Sequence, residues 1–263
     1  LRLVGSEMCI RDRYEGETVA QAVVKALTER PLDSYADLYP LLPEGFTALN
    51  ASTEEGICYL NLPGSVAALL PEGPVLAAGL GNRAMTCDAV GPTSIDNLLV
   101  TRHMIRAMPR QFADFRPVAA VCPGVLARTG LEALELVRGA VERVRPAAVI
   151  AVDALAARDS ARLCATVQLS DTGLVPGSGV GNRRSALDRG TLGVPVIAVG
   201  IPTVVDADPR AGLFLTPRDI DQRIRELGRL LGYGITLALQ PSLTAADVTA
   251  LPVSYTHLRA HET

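Results

Sequence analysis

Two short apolar runs do most to limit what this chain can fold into. Residues 75–79 read VLAAG and residues 147–152 read AAVIAV, with no polar alternation in either. Strands of that kind are buried on both faces, which occurs almost only in parallel sheets covered by helices on each side. Residues 194–200 (VPVIAVG) repeat the pattern, and 118–122 (VAAVC) and 166–170 (TVQLS) are further strand candidates. Helical periodicity lies between them. It is expected over 95–108, where Ile95, Leu98, Leu99, His103 and Ile105 mark one face, and over 131–144 with Thr129 as cap. A third helix is expected over 216–237, opened by Thr216 and Pro217. Strands alternating with helices predict an α/β fold, a three-layer αβα arrangement around a mostly parallel, twisted sheet.

The expected domain runs from 14 to 252. Within it, 14–56 reads as an N-terminal extension with one short amphipathic helix, and 57–252 as the α/β core, where 57–62 (ICYLNL) suits an edge strand. The two ends, 1–13 and 253–263, resemble translated sequencing-adapter read-through and are expected to lie outside the fold, with the gene incomplete on both sides. Once they are set aside, His103 is the one histidine left.

Composition excludes several classes of function. The formal net charge is −3, so there is no basic footprint for nucleic acid or an anionic membrane. Lys25 is the single lysine, which excludes a Schiff-base lysine near the centre of the chain. Cys58, Cys87, Cys122 and Cys164 form no metal-binding spacing and read as reduced thiols of a cytoplasmic protein. No run of about 20 apolar residues predicts a membrane span.

Chemistry concentrates where the first and third apolar strands end. Residues 74–92 read PVLAAGLGNRAMTCDAVGP, a strand, a glycine turn and then Asp88; residues 147–155 end on Asp153 in the same way. In open α/β sheets, ligands bind beyond the carboxyl ends of the strands, where strand order reverses. If 75–79 lies between 118–122 and 147–152, Asp88 and Asp153 share one crevice. Desolvation after VIAV raises the Asp153 pKa, and a second carboxylate raises one of the two further. A helix N-terminus near Asp88 favours its ionised form. Asp88 is then the expected base and Asp153 the expected acid. The structural alternative is that each aspartate only caps the next helix.

Other motifs are weaker. The GLG of 79–81 lacks the acidic partner of a dinucleotide site, because the 118–122 strand ends in Cys122-Pro123. The GSGVGNRR of 177–184 lacks the Lys-Ser/Thr ending of a phosphate loop. Cys87 could be a low-pKa thiolate at a helix start, but its only partner would be His103.

Longer motifs carry a resemblance. GLGNRAMTCDAVGP, VTRHM at 100–104, CPGVLARTGLE at 122–132, AVDALAARD at 151–159, QLSDTGLVPGSGVGNRR and GVPVIAVGIPTVVDA at 193–207 closely resemble the germination protease family of spore-forming bacteria, in order, from about 73 to 252. The resemblance implies an atypical aspartic endopeptidase with a fold similar to hydrogenase maturation proteases. Its essential aspartates match Asp88 and Asp153. It implies a zymogen and a homotetramer in the cytoplasm of the spore core, which degrades small acid-soluble spore proteins during germination. No cofactor or metal is expected, and neither a membrane nor direct nucleic-acid binding. Gly81, Asn82, Asp171, Gly179 and Asn182 are the expected supporting or oxyanion-binding residues. Where the family usually has proline, this chain has Cys87, a change expected to affect rigidity and not the aspartate pair. A peptidyl-tRNA hydrolase-like enzyme, suggested by GLGN with TRH, and a non-catalytic nucleotide-binding domain are the alternatives. The acidic charge disfavours the first.

Overall fold

A computed structural model describes residues 50–54, 57–61, 71–157, 160–178, 184–208 and 213–250. The chain divides into two compact units, Leu1–Leu70 and Pro71–Thr263. In the first, β1 (Asn50–Glu54) and β2 (Ile57–Asn61) form a two-stranded antiparallel sheet. The expected edge strand at 57–62 therefore pairs with a strand of its own unit, inside a stretch that reads as irregular from sequence.

The second unit carries the α/β fold. Its elements in order are β3 (Val75–Gly79), α1 (Val90–Asp96), α2 (Arg102–Ala107), β4 (Val118–Val121), α3 (Leu126–Thr129) and α4 (Ala133–Val144). They continue with β5 (Ala148–Ala157), β6 (Gln168–Ser170), α5 (Arg189–Leu192), β7 (Val196–Asp208), β8 (Leu213–Leu215) and α6 (Ile220–Leu239). The sheet order is β4-β3-β5-β7-β6, with β8 also on β7. β4, β3, β5 and β7 are parallel; β6 and β8 run antiparallel to β7. The order expected for the first three strands is thus met.

Both faces of the sheet are covered. Leu76, Ala78, Val149 and Ala151 pack on Leu134, Val137 and Val141 of α4. The opposite face meets α1 so closely that a Cβ on Gly79 would lie 2.5 Å from the Gly91 carbonyl oxygen and 2.6 Å from Ile95. α6 backs α1 through two glycines. A Cβ on Gly228 would meet Thr93 at 2.4 Å, and one on Gly232 the Ser94 carbonyl oxygen at 2.6 Å.

Several boundaries differ from expectation, each for a physical reason. The 95–108 helix is two helices, because the chain between them spends its polar groups on tertiary bonds. Leu99 N–H donates to Thr236 Oγ1, Thr101 N–H donates to the Val118 carbonyl, and the Thr101 hydroxyl donates to the Arg116 carbonyl. Met104, not His103, is the buried residue of α2. Thr129 closes α3 and does not cap α4, which starts at Ala133, with the Glu135 carboxylate accepting from Glu132 N–H. α6 begins at Ile220, because the Thr216 hydroxyl is turned to the Thr203 carbonyl and not to the helix. β5 and β7 run on past 152 and 200, each pairing the other as far as Ala157 and Val205 across a bulge.

Gly91 tests this packing. A Cβ there would lie 2.3 Å from the Leu80 carbonyl oxygen and 2.5 Å from that of Val152, while a Cβ on Gly139 of α4 meets nothing within 4 Å. Gly91→Ala is expected to cost about 2–4 kcal/mol in urea unfolding. Gly139→Ala is expected to add about 0.5–1 kcal/mol.

Candidate active site

β3 stops at Gly79, paired with Val152, while β5 continues. Leu80 N–H closes the step by donating to the Val152 carbonyl at 2.8 Å. Asp153 is therefore inside a strand, not after one, at the first position beyond its neighbour's end. From Leu80 the chain turns at Gly81, whose φ is +108°. A Cβ there would lie 2.0 Å from the Asp88 carbonyl oxygen, so only glycine lets the turn close on Asp88. Asp88 ends a single 3-10 turn, Thr86–Asp88, just before α1.

Both aspartates line one cleft of about 480 Å³. Its other walls include Gly124 and Val125 of the loop after β4, Leu126 and Ala127 of α3, the start of α4, Ala154–Ala156, Thr203 and Phe214, and the lining is mostly apolar. Asp153 is 5% exposed. Burial first, and the Asp88 charge second, raise its pKa from 3.8 to about 7, against the opposing effect of the Ala154 N–H, which donates to its Oδ1 at 2.9 Å. Burial also raises the Asp88 pKa, opposed by Asn82 N–H, which donates to Oδ2 at 2.8 Å. Each carboxyl accepts one main-chain N–H, and the difference between them is burial, nearly complete at Asp153 and partial at Asp88.

The supporting residues fare unequally. Gly81 and Asn82 line the cleft, and both hold Asp88. The amides of Leu80 and Asn82 are already spent, on Val152 and Asp88, so the 79–82 turn orients a carboxylate more than it offers free donors. Asp171 is exposed and is not on the cleft wall. Gly179 and Asn182 lie outside the described residues. Burial and Asp88 raise the Cys87 pKa, the reverse of what an activated thiolate requires. His103 is exposed on α2 and does not line the cleft.

One residue was missed. Thr203, 1% exposed, donates from its hydroxyl to the Cys87 carbonyl at 2.6 Å and so ties the turn bearing Asp88 to β7. Its signal in the sequence is a single polar side chain inside GIPTVV, in a strand expected to end at 200. The turn is also held from outside, where the Arg83 guanidinium pairs with Asp96 of α1.

A mostly parallel sheet, with one aspartate inside β5 where β3 has ended and another in the turn that follows β3, defines an α/β protein with a two-aspartate cleft. The chain belongs to the germination protease family, whose model matches residues 68–211. The germination protease of Caldanaerobacter subterraneus subsp. tengcongensis is 39% identical over 293 residues, covering 91% of this chain and 90% of that protein. That of Priestia megaterium is 45% identical over 185 residues, 66% of this chain and 49% of that protein. That of Halalkalibacterium halodurans is 51% identical over 157 residues, 59% and 41%. The matched region spans about half or less of the latter two relatives. Among solved structures, the hydrogenase maturation protease HycI of Thermococcus kodakarensis aligns over 66% of this chain and 98% of its own, with 16% identity and a TM-score of 0.39.

The Asp153 pKa has a consequence for stability. Between 3.8 and about 7 the unfolded chain is ionised there while the folded chain keeps its proton, so rising pH favours unfolding across that window. Asp153→Asn removes the penalty. In urea unfolding at pH 8 the variant is expected to be more stable than the parent by up to about 4 kcal/mol, and at pH 4 to match it.

Proposed function

We propose that this chain is an aspartic-type endopeptidase that starts the degradation of small acid-soluble spore proteins during germination. The observation that carries the reading is Asp153, a carboxyl 5% exposed whose pKa burial raises, in the same cleft as Asp88, which is held by the Asn82 N–H. Membership of the germination protease family supports the substrate class and the setting. By the same family likeness, the protein works in the spore core, is made as a zymogen and assembles as a homotetramer, with no cofactor.

The chemistry follows from the two protonation states. Asp88 takes a proton from water as the water oxygen attacks the carbonyl carbon of the scissile amide. Asp153 gives its proton to the amide nitrogen, the C–N bond breaks, and a carboxyl and an amine terminus leave. The dyad ends with its proton on Asp88 and resets by exchange with solvent. Asn82 N–H keeps the Asp88 oxygen in place, and Thr203 fixes the turn that carries it.

Asp88→Asn and Asp153→Asn are each expected to slow cleavage of a small acid-soluble spore protein by about 10²–10⁴-fold, read by mass spectrometry of the products. Because the acid must be protonated, the parent rate should fall as pH rises through about 7. Parental rates in either variant would sink the dyad reading.

A further inference from the structure

The cleft has a strand edge as one wall. Val149 N–H donates to the Pro195 carbonyl on the β7 side, and the Val152 carbonyl accepts from Leu80 on the β3 side. Along β5, then, odd-numbered residues turn their main-chain groups to β7 and even-numbered residues turn theirs to β3. β3 pairs no further than Val152, while β7 pairs on to Ala157. The register shift between Leu155 and Ala156 is taken up on β7, which skips Thr203, so β5 keeps its alternation. The main-chain groups of Ala154 and Ala156 therefore face the row that β3 vacates, and among the described residues no strand occupies it. The cleft lining agrees: Asp153, Ala154, Leu155 and Ala156 all border it. Consecutive residues border a cavity when it lies against a strand's edge; a cavity on a strand's face meets alternate residues. The Ala154 N–H donates to Asp153 Oδ1 at 2.9 Å, so the reacting group and the edge adjoin, and the Ala154 carbonyl and the Ala156 N–H are the groups the edge offers.

We propose that this edge is the main-chain binding strip for the substrate. An extended segment of the polypeptide substrate adds to β5 at 154–156 as a new strand, in line with β3. The inference rests on the peptidase reading and says how the substrate is held. The occupant is identified by complementarity: an unpaired strand edge offers alternating donors and acceptors, which an extended peptide matches and a compact or helical ligand does not. The added strand runs directly past Asp153 and Asp88, so its own peptide bonds pass over the carboxyls. Affinity from main-chain bonds is independent of side chains; selection then falls to the cleft walls, where Val125, Leu126 and Phe214 are apolar.

The test uses a peptide spanning a cleavage site mapped with the parent protein, and a set of its analogues each carrying one N-methylated amide away from the scissile bond. Strand addition predicts a two-residue alternation: kcat/KM falls about tenfold or more where the N–H faces the β5 edge and changes little at the positions between. Losses without that alternation, or no losses, overturn the proposal. A separate readout stands apart from catalysis. In Asp88→Asn with saturating unmethylated peptide, exchange of the Ala156 amide measured by NMR should slow at least tenfold; unchanged exchange overturns the proposal. If the parent protein cleaves nothing, the peptidase reading falls, and the Ala156 exchange, measured with overlapping synthetic peptides covering one small acid-soluble spore protein, still decides whether an extended peptide pairs with the edge.

Discussion

One main-chain bond, Leu80 N–H to the Val152 carbonyl, marks the step on which the rest of the site depends. A regular sheet would pair β3 and β5 to the same height. Here β3 ends there and β5 goes on, so the next side chain, Asp153, emerges where its strand has lost one neighbour and kept the other. Gly91 of α1 is pressed against both carbonyls at the step, which holds α1 at the height where Asp88 precedes it. A larger residue at Gly91 would push the two carboxyls out of register through backbone contacts alone, and one at Gly81 would also press on Asp88 Oδ1, 3.1 Å from the added Cβ.

The electrostatics follow from that geometry. Asp153 is too buried to ionise easily, and Asp88 adds a like charge that makes ionisation harder still. Asp88 is partly buried too, and burial raises its pKa, with the Asn82 N–H opposing that only in part. Environment thus separates two identical side chains by burial, with the more buried Asp153 the harder to ionise. The cost is a fold that is less stable above neutral pH than it would be with an amide at Asp153. The thiol of Cys87, next to Asp88, is pushed the other way from reactivity, and the turn uses its carbonyl.

Much of this was legible in the chain. The runs at 75–79 and 147–152 are apolar because both faces of β3 and β5 are covered, so strand identity, parallel pairing and the meeting of Asp88 with Asp153 followed from pattern and topology. What pattern could not supply was where strands stop. Nothing in DALAA distinguishes a continued strand from a loop, because Ala154–Ala157 owe their extension to β7 and not to propensity. The break between α1 and α2 was hidden for a similar reason, since Leu99 and Thr101 bond to residues distant in sequence, Thr236 and Val118. Thr203 was missed because it acts through a carbonyl 116 positions away. Asp171, placed with the site on sequence grounds, is exposed and off the cleft wall.

Burial and the neighbouring Asp88 charge raise the Asp153 pKa to about 7. A ¹³C NMR titration of the aspartate side-chain carboxyls, assigned with Asp153→Asn, tests it most directly. The expected midpoint is near 7 for Asp153 and lower in Asp88→Asn, where burial remains and the like charge is gone. An Asp153 midpoint near 4, unmoved by Asp88→Asn, would contradict it.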